Sequence, residues 1–147
     1  MHKDSATPVH NFSQPLLAEL HDIVQSLKDG DGHWNRMGQR APVHYAVMRS
    51  DHPEHFNLGG DLKHFRACIA NQDWNALREY SQRCVNIVYE WAILPSKQTT
   101  TIALVQGRAL GGGFEAALSA AFLIAEENST FAFPEIMFGL FPNAGGA

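Results

Sequence analysis

The sequence predicts an α/β domain with a largely parallel sheet. Three observations lead there. Helix-like and strand-like segments alternate, in the order α-β-turn-α-α-β-turn-α-β. Two glycine-rich turns, "LGGD" and "LGGGF", each stand directly before a helical segment. The chain has 147 residues, 45% of them apolar, which suits one domain with a modest core.

The first helix opens with Ser13 as a cap and Pro15 in the first turn, where proline is tolerated. Leu16, Leu17, Leu20, Ile23, Val24 and Leu27 then recur at helical spacing. "KDGDGH" stops it, with Gly30 just past the end. "NRMGQRAP" reads as a loop, Val43 to Ser50 as a strand, and "SDHPEHF" as a turn-rich connection. After the Gly59-Gly60 turn, Asp61 is placed to cap a second helix. The clearest helix follows: Trp74, Leu77, Ser81, Cys84, Val88 and Trp91 share one stripe, Val85 widens it, and Pro95 ends it. Thr99 to Gln106 is a strong strand, Gly112 to Ala120 a helix, and "FLIAEE" a short, mostly buried strand. The last stretch is loop-rich, with a helical turn after Pro134. Residues 1–12 are expected to form a flexible N-terminus on a single domain covering 1–147.

Composition narrows the function classes. A net charge of −4 argues against nucleic acid and polybasic membrane partners. No apolar run reaches the roughly 18 residues of a membrane span, and "MHKDSATPVHNF" lacks the apolar region of a signal peptide, so the expected location is cytoplasmic. Cys68 and Cys84 form neither a C-x-x-C pair nor a zinc spacing and read as reduced core thiols. His52 and His55 in "HPEH" lack an identifiable third ligand and read as surface histidines; no metal site is expected.

The glycine turns fit no nucleotide fingerprint: G-x-G-x-x-G would need glycine at Ala116, and a P-loop would need Lys-Ser/Thr. Backbone N–H groups at helix starts can instead serve a developing oxyanion; the simpler reading is tight turns with close helix–sheet packing. Glu115 in "GGFEAAL" and Glu135 in "FAFPEIMF" are carboxylates among apolar residues. Burying an unpaired charge is costly, so such glutamates want a reason. Two carboxylates in different surroundings can divide acid and base work. Taken singly, Glu115 also reads as a helix N-terminal acid, and Glu135 as a solvated loop residue.

"FNLGGDL", "ALVQGRALGGGFEAALS" and "FPEIMFGLFPNAGG" together resemble the crotonase (enoyl-CoA hydratase/isomerase) superfamily, from Pro42 to Ala147 and more loosely from Ser13. Within it the chain is most similar to the bacterial diffusible signal factor synthases of quorum sensing. "YSQRCV" and Phe114 add to that likeness, since generic hydratases more often carry a smaller residue, leucine or cysteine in place of Phe114. The resemblance implies a ββα spiral core, here incomplete at both ends. It implies that the N–H groups of Gly60 and Gly112 bind a thioester oxygen, and that Glu115 and Glu135 are the catalytic pair. Leu58, Gly59 and Gly111 would adjoin the substrate. Phe133 and Phe138, with Phe141, would line the acyl tunnel or simply pack. Lys63 would meet a pantetheine-linked phosphate or be an ordinary surface lysine.

The chemistry implied is dehydration of a 3-hydroxyacyl thioester, on CoA or acyl carrier protein, to a 2-enoyl product, followed in the synthases by thioester hydrolysis. A conventional hydratase/isomerase, or an inactive thioester-binding domain, would carry the same motifs. No cofactor is implied beyond the thioester substrate, and a full-length member would form a trimer or hexamer.

Overall fold

The computed structural model describes residues 10–94, 99–142 and 144. Helix α1 spans Gln14–Asp29; Ser13 caps it by accepting the Leu16 N–H, and Gly30 closes it. Leu16, Leu17, Leu20, Val24 and Leu27 are buried along one face, while Ile23 sits at the exposed edge of the stripe.

Strands β1 (His33–Arg36) and β2 (Gln39–Pro42) follow as an antiparallel hairpin. The sequence reading had a loop here. Met37 and Gly38 both take positive φ, 51° and 79°, the backbone that a two-residue hairpin turn requires. Strand β3 (Tyr45–Arg49) is the expected one, and β4 (His55–Asn57) emerges from the expected turn region. Helix α2 (Leu62–Ala70) is capped by Asp61, whose Oδ1 accepts the Lys63 and His64 N–H groups. Helix α3 (Trp74–Ile93) is capped by Asp73. Its stripe buries Tyr80, Ile87, Val88 and Trp91, but Trp74, expected in the core, is 59% exposed in the first turn. Pro95, the expected stop, lies outside the described residues.

Strand β5 (Thr100–Val105) pairs in parallel with β3 and with β7 (Phe122–Ala125), giving a sheet of order β3-β5-β7. Strands β6 (Arg108–Leu110) and β8 (Thr130–Ala132) build a second parallel sheet, β4-β6-β8. The parallel α/β expectation holds, divided between two small sheets. All four residues of β7 are exposed, against the expectation of a mostly buried strand. Helix α4 (Gly112–Leu118) lies between the sheets, touching β4, β5, β6 and β7. A 3-10 turn, Pro134–Phe138, follows β8 and ends at Gly139 in the left-handed region.

The core lies between α1, α3, α4 and the inner sheet faces, with Phe56, Ala103, Ala109 and Ala117 wholly enclosed. Phe12 belongs to it: its side chain is buried, and its N–H donates to the Gly59 carbonyl (2.8 Å). Of the N-terminal stretch 1–12, residues 1–9 lie outside the described residues. Among the described residues no helix is long and apolar enough to cross a membrane.

Candidate active site

The two glycine turns end neighbouring strands of one sheet. β4 runs into Leu58-Gly59-Gly60, and β6 runs into Gly111-Gly112. Because β4 and β6 are parallel neighbours, both turns emerge on the same side and touch. At Gly59 φ is +87°, and a Cβ there would stand 2.8 Å from the Leu110 carbonyl oxygen and 3.1 Å from the Gly112 nitrogen. Only glycine tolerates both that backbone and that approach. Asn57, fully buried, accepts the Gly59 N–H on Oδ1 (2.8 Å) and so holds the turn from behind.

Gly112 opens α4, so its N–H has no acceptor within the helix. Around the first turn, the N–H groups of Phe12, Gly59 and Asp61 are each bonded; none of these bonds uses the Gly60 N–H. Among the described residues neither the Gly60 nor the Gly112 N–H makes a hydrogen bond, so two donors are available on touching turns. Such donors are suited to charge developing on a carbonyl oxygen, where one is worth about 3 kcal/mol in kcat.

Both carboxylates come to these turns. Glu115 lies in the first turn of α4 and is only 4% exposed. Its Oε1 accepts the Ala144 N–H at 2.6 Å. Glu135 arrives by another route. The Gly111 N–H donates to Ala132 at the end of β8 (2.9 Å), so the next turn is laid over Gly111. A Cβ on Gly111, whose φ is +50°, would collide with Glu135 Oε1. Glu135 Oε2 is buried without a hydrogen-bond partner among the described residues. An acceptor in that condition is costly unless a ligand or water meets it.

Gly60, Gly112, Glu115 and Glu135 all line one cavity of about 370 Å³. The rest of its wall is mainly apolar, from Phe12, Leu17, Leu20, Met48, Val88 and Trp91. That is the form of a site for an apolar group carrying one polar end. Of the other expected substrate contacts, Leu58, Gly59 and Gly111 form the backing of the two turns without lining the cavity. Phe133 packs on Phe114 (ring centroids 4.8 Å apart), Phe138 is exposed, and Lys63 is exposed on α2; none of the three lines the cavity, whereas Phe141 does.

Sequence reasoning missed Tyr80 and the cavity-facing position of Cys84. Both line the cavity. Their place on the core stripe of α3 gave no sign of which neighbours they face. Burial pushes the Cys84 thiol up to about 11; the neighbouring Tyr80 hydroxyl opposes this and the charge of Glu115 adds to it. The histidines also differ from the expectation of surface residues. His10, His52 and His55 are half-buried with rings in contact, His52 and His55 stacked at 4.8 Å. His52 Nδ1 accepts the Glu54 N–H (3.1 Å), and among the described residues no cluster of three His, Cys, Asp or Glu side chains is arranged to hold a metal.

A family model described as enoyl-CoA hydratase/isomerase matches residues 18–147. Methylglutaconyl-CoA hydratase 1 of Pyricularia oryzae is 28% identical over 152 residues, covering 92% of this chain and 42% of that protein. Carnitinyl-CoA dehydratase of Salmonella is 53% identical over 45 residues, 31% of this chain and 17% of that protein. Among solved structures, DspI of Pseudomonas aeruginosa superposes with a TM-score of 0.75 at 27% identity, covering 95% of this chain and 50% of that one. An enoyl-CoA hydratase from Bacillus anthracis superposes with a TM-score of 0.75 at 26% identity, covering 92% and 46%. The chain thus spans about half the length of these structural relatives and less of the curated ones.

Proposed function

Since the chain belongs to the enoyl-CoA hydratase/isomerase family of the crotonase superfamily, we propose that its cavity holds an acyl thioester and interconverts 3-hydroxyacyl and 2-enoyl forms. The observation that carries this reading is the convergence of two glycine turns and two carboxylates on one apolar cavity. The thioester oxygen lies against the Gly60 and Gly112 N–H groups. Proton loss from the α-carbon sends electron density onto that oxygen, and the two donors stabilise it as an enolate oxyanion. One glutamate takes the α-proton; the other delivers a proton to the departing β-hydroxyl, releasing water and the 2-enoyl thioester. Support for assigning these roles to Glu135 and Glu115 is that Glu135 has a buried oxygen without a hydrogen-bond partner among the described residues and that Glu115 is held by the Ala144 N–H. The finer reading is of the signal factor synthase type: a 3-hydroxyacyl-carrier-protein substrate, and a second step in which water attacks the enoyl thioester carbonyl and frees the unsaturated acid. The motif around Phe114, which resembles that of the signal factor synthases, favours it.

The test is mass spectrometry of the products formed from 3-hydroxyacyl-CoA and 3-hydroxyacyl-carrier-protein. A free 2-unsaturated acid from the carrier-protein substrate, lost in Glu115→Gln, is the outcome expected of a synthase. An enoyl thioester alone, best from CoA, would reduce the reading to a conventional hydratase. Retention of substrate with no product would leave a thioester-binding domain.

A further inference from the structure

We propose that Tyr80 is a positioning residue for the oxyanion-binding turn, its hydroxyl fixing the direction of the Gly60 N–H through the backbone of Phe12. This rests on the reading of Gly60 as a thioester-oxygen donor.

Tyr80 projects from the middle of α3 and is 1% exposed. Its hydroxyl donates to the Phe12 carbonyl at 2.6 Å and accepts the Asp61 N–H at 2.9 Å. Phe12 in turn donates its N–H to the Gly59 carbonyl at 2.8 Å. The Gly59 carbonyl and the Gly60 N–H belong to one planar trans peptide, so they point in opposite directions. Fixing the carbonyl on Phe12 therefore aims the Gly60 N–H away from Phe12's backbone. Tyr80 holds both ends of this arrangement: the strand that grips Gly59, and the amide directly after Gly60.

The surroundings leave the hydroxyl little freedom. Phe65 packs edge-on against the Tyr80 ring at 5.1 Å, and His64 lies at 5.1 Å on another side. A Cβ on Gly60 would stand 3.0 Å from Phe65 Cζ and 3.9 Å from the Tyr80 hydroxyl. Burial, with Cys84 beside it, raises the phenol well above its ordinary range, so it stays a neutral O–H able to donate to Phe12 while accepting from Asp61. No substrate contact is required of Tyr80 for this role. A group with this function was invisible in the sequence, where Tyr80 falls between Trp74 and Cys84 on an ordinary amphipathic helix.

Tyr80→Phe keeps the ring and its packing and removes only the hydroxyl. Turnover is expected to fall roughly 10- to 100-fold with KM changed by less than about threefold, since slight misplacement of a group that acts in the transition state costs rate more than binding. A spectroscopic readout separates aim from mere folding. The infrared band of a carbonyl-labelled 2-enoyl-CoA should move to lower frequency on binding the unmutated chain and clearly less on binding Tyr80→Phe. Amide hydrogen exchange at Phe12 and Asp61, read on both chains without ligand, should be faster in the variant. Tyr89→Phe, on the exposed face of α3, should change none of these. An unchanged carbonyl shift in Tyr80→Phe overturns the proposal, as does unchanged exchange at both amides. If the unmutated chain produces no carbonyl shift, the thioester reading itself fails, and the exchange rates still decide whether Tyr80 holds the turn.

Discussion

Glu115 and Glu135 reach the same cavity by different routes, one from the first turn of α4 and one from the turn that lies against Gly111. Replacing either by Gln keeps its shape and removes its proton-transfer capacity; each change should lower turnover roughly 10²- to 10⁴-fold, measurable in a coupled absorbance assay of the enoyl product. Gly111→Ala should damage the site differently. The added methyl must displace the Glu135 carboxylate and adopt a positive φ of 50°, so a stability loss of about 1–3 kcal/mol in denaturant unfolding should accompany the lost turnover. Cys84 supplies a pH signature. Its thiol titrates at 9.0 in an ordinary setting and near 11 in the fold. Between those values the unfolded chain has released a proton that the folded chain retains. The stabilisation is thus full below about pH 9 and is lost as pH rises towards 11. Thermal midpoints followed over that range should fall, with a shallower fall in Cys84→Ala. At this scale the four cavity residues Gly60, Gly112, Glu115 and Glu135 were legible, because each sits in a short motif. Tyr80, Phe12 and Cys84 were not, because their contacts are with residues distant in the chain.

Helix α3 shows what can and cannot be read from an element. Its apolar stripe identified the helix and placed Val88 and Trp91 in the core. Trp74 fits the same stripe and yet is exposed, because periodicity marks a face without saying how far along the helix its neighbours extend. The strands of the sheet that carries the glycine turns are three residues each, too short for alternation to be seen, so β4, β6 and β8 read as turns and loop in the sequence. The β1–β2 hairpin was missed because Met37, a residue ill suited to positive φ, occupies its turn. Since α3 carries Tyr80 and Cys84, its cap can be tested apart from the chemistry. Asp73 accepts the Ala76 N–H at 3.0 Å and does not line the cavity. Asp73→Ala should cost about 1 kcal/mol in denaturant unfolding and leave kcat unchanged.

Across the whole molecule, the β3-β5-β7 sheet is buried on one face only where β3 and β5 form it, and its other face is not buried. Register puts Val47, Ile102 and Phe122 side by side, with Leu104 and Ile124 in the next row but one, and Phe122 is 61% exposed. Ile136, Met137, Phe138 and Phe141 add apolar surface beyond β8. The expectation of a buried "FLIAEE" failed here for a physical reason: apolar composition says that a strand can be covered, not that it is. A patch of this kind should bind an apolar fluorescent dye in the native state, and Phe122→Glu combined with Ile124→Lys should reduce that signal without changing the cavity. The two parallel sheets nevertheless frame one arrangement, in which two glycine turns and two carboxylates line one apolar space. The measurement that addresses this most directly is deuterium incorporation at the α-carbon of a 3-hydroxyacyl thioester in heavy water, read by mass spectrometry. Incorporation catalysed by the unmutated chain, and abolished in Glu115→Gln or Glu135→Gln, is the expected result. A bound thioester whose α-proton never exchanges, or exchanges equally in both variants, would contradict it.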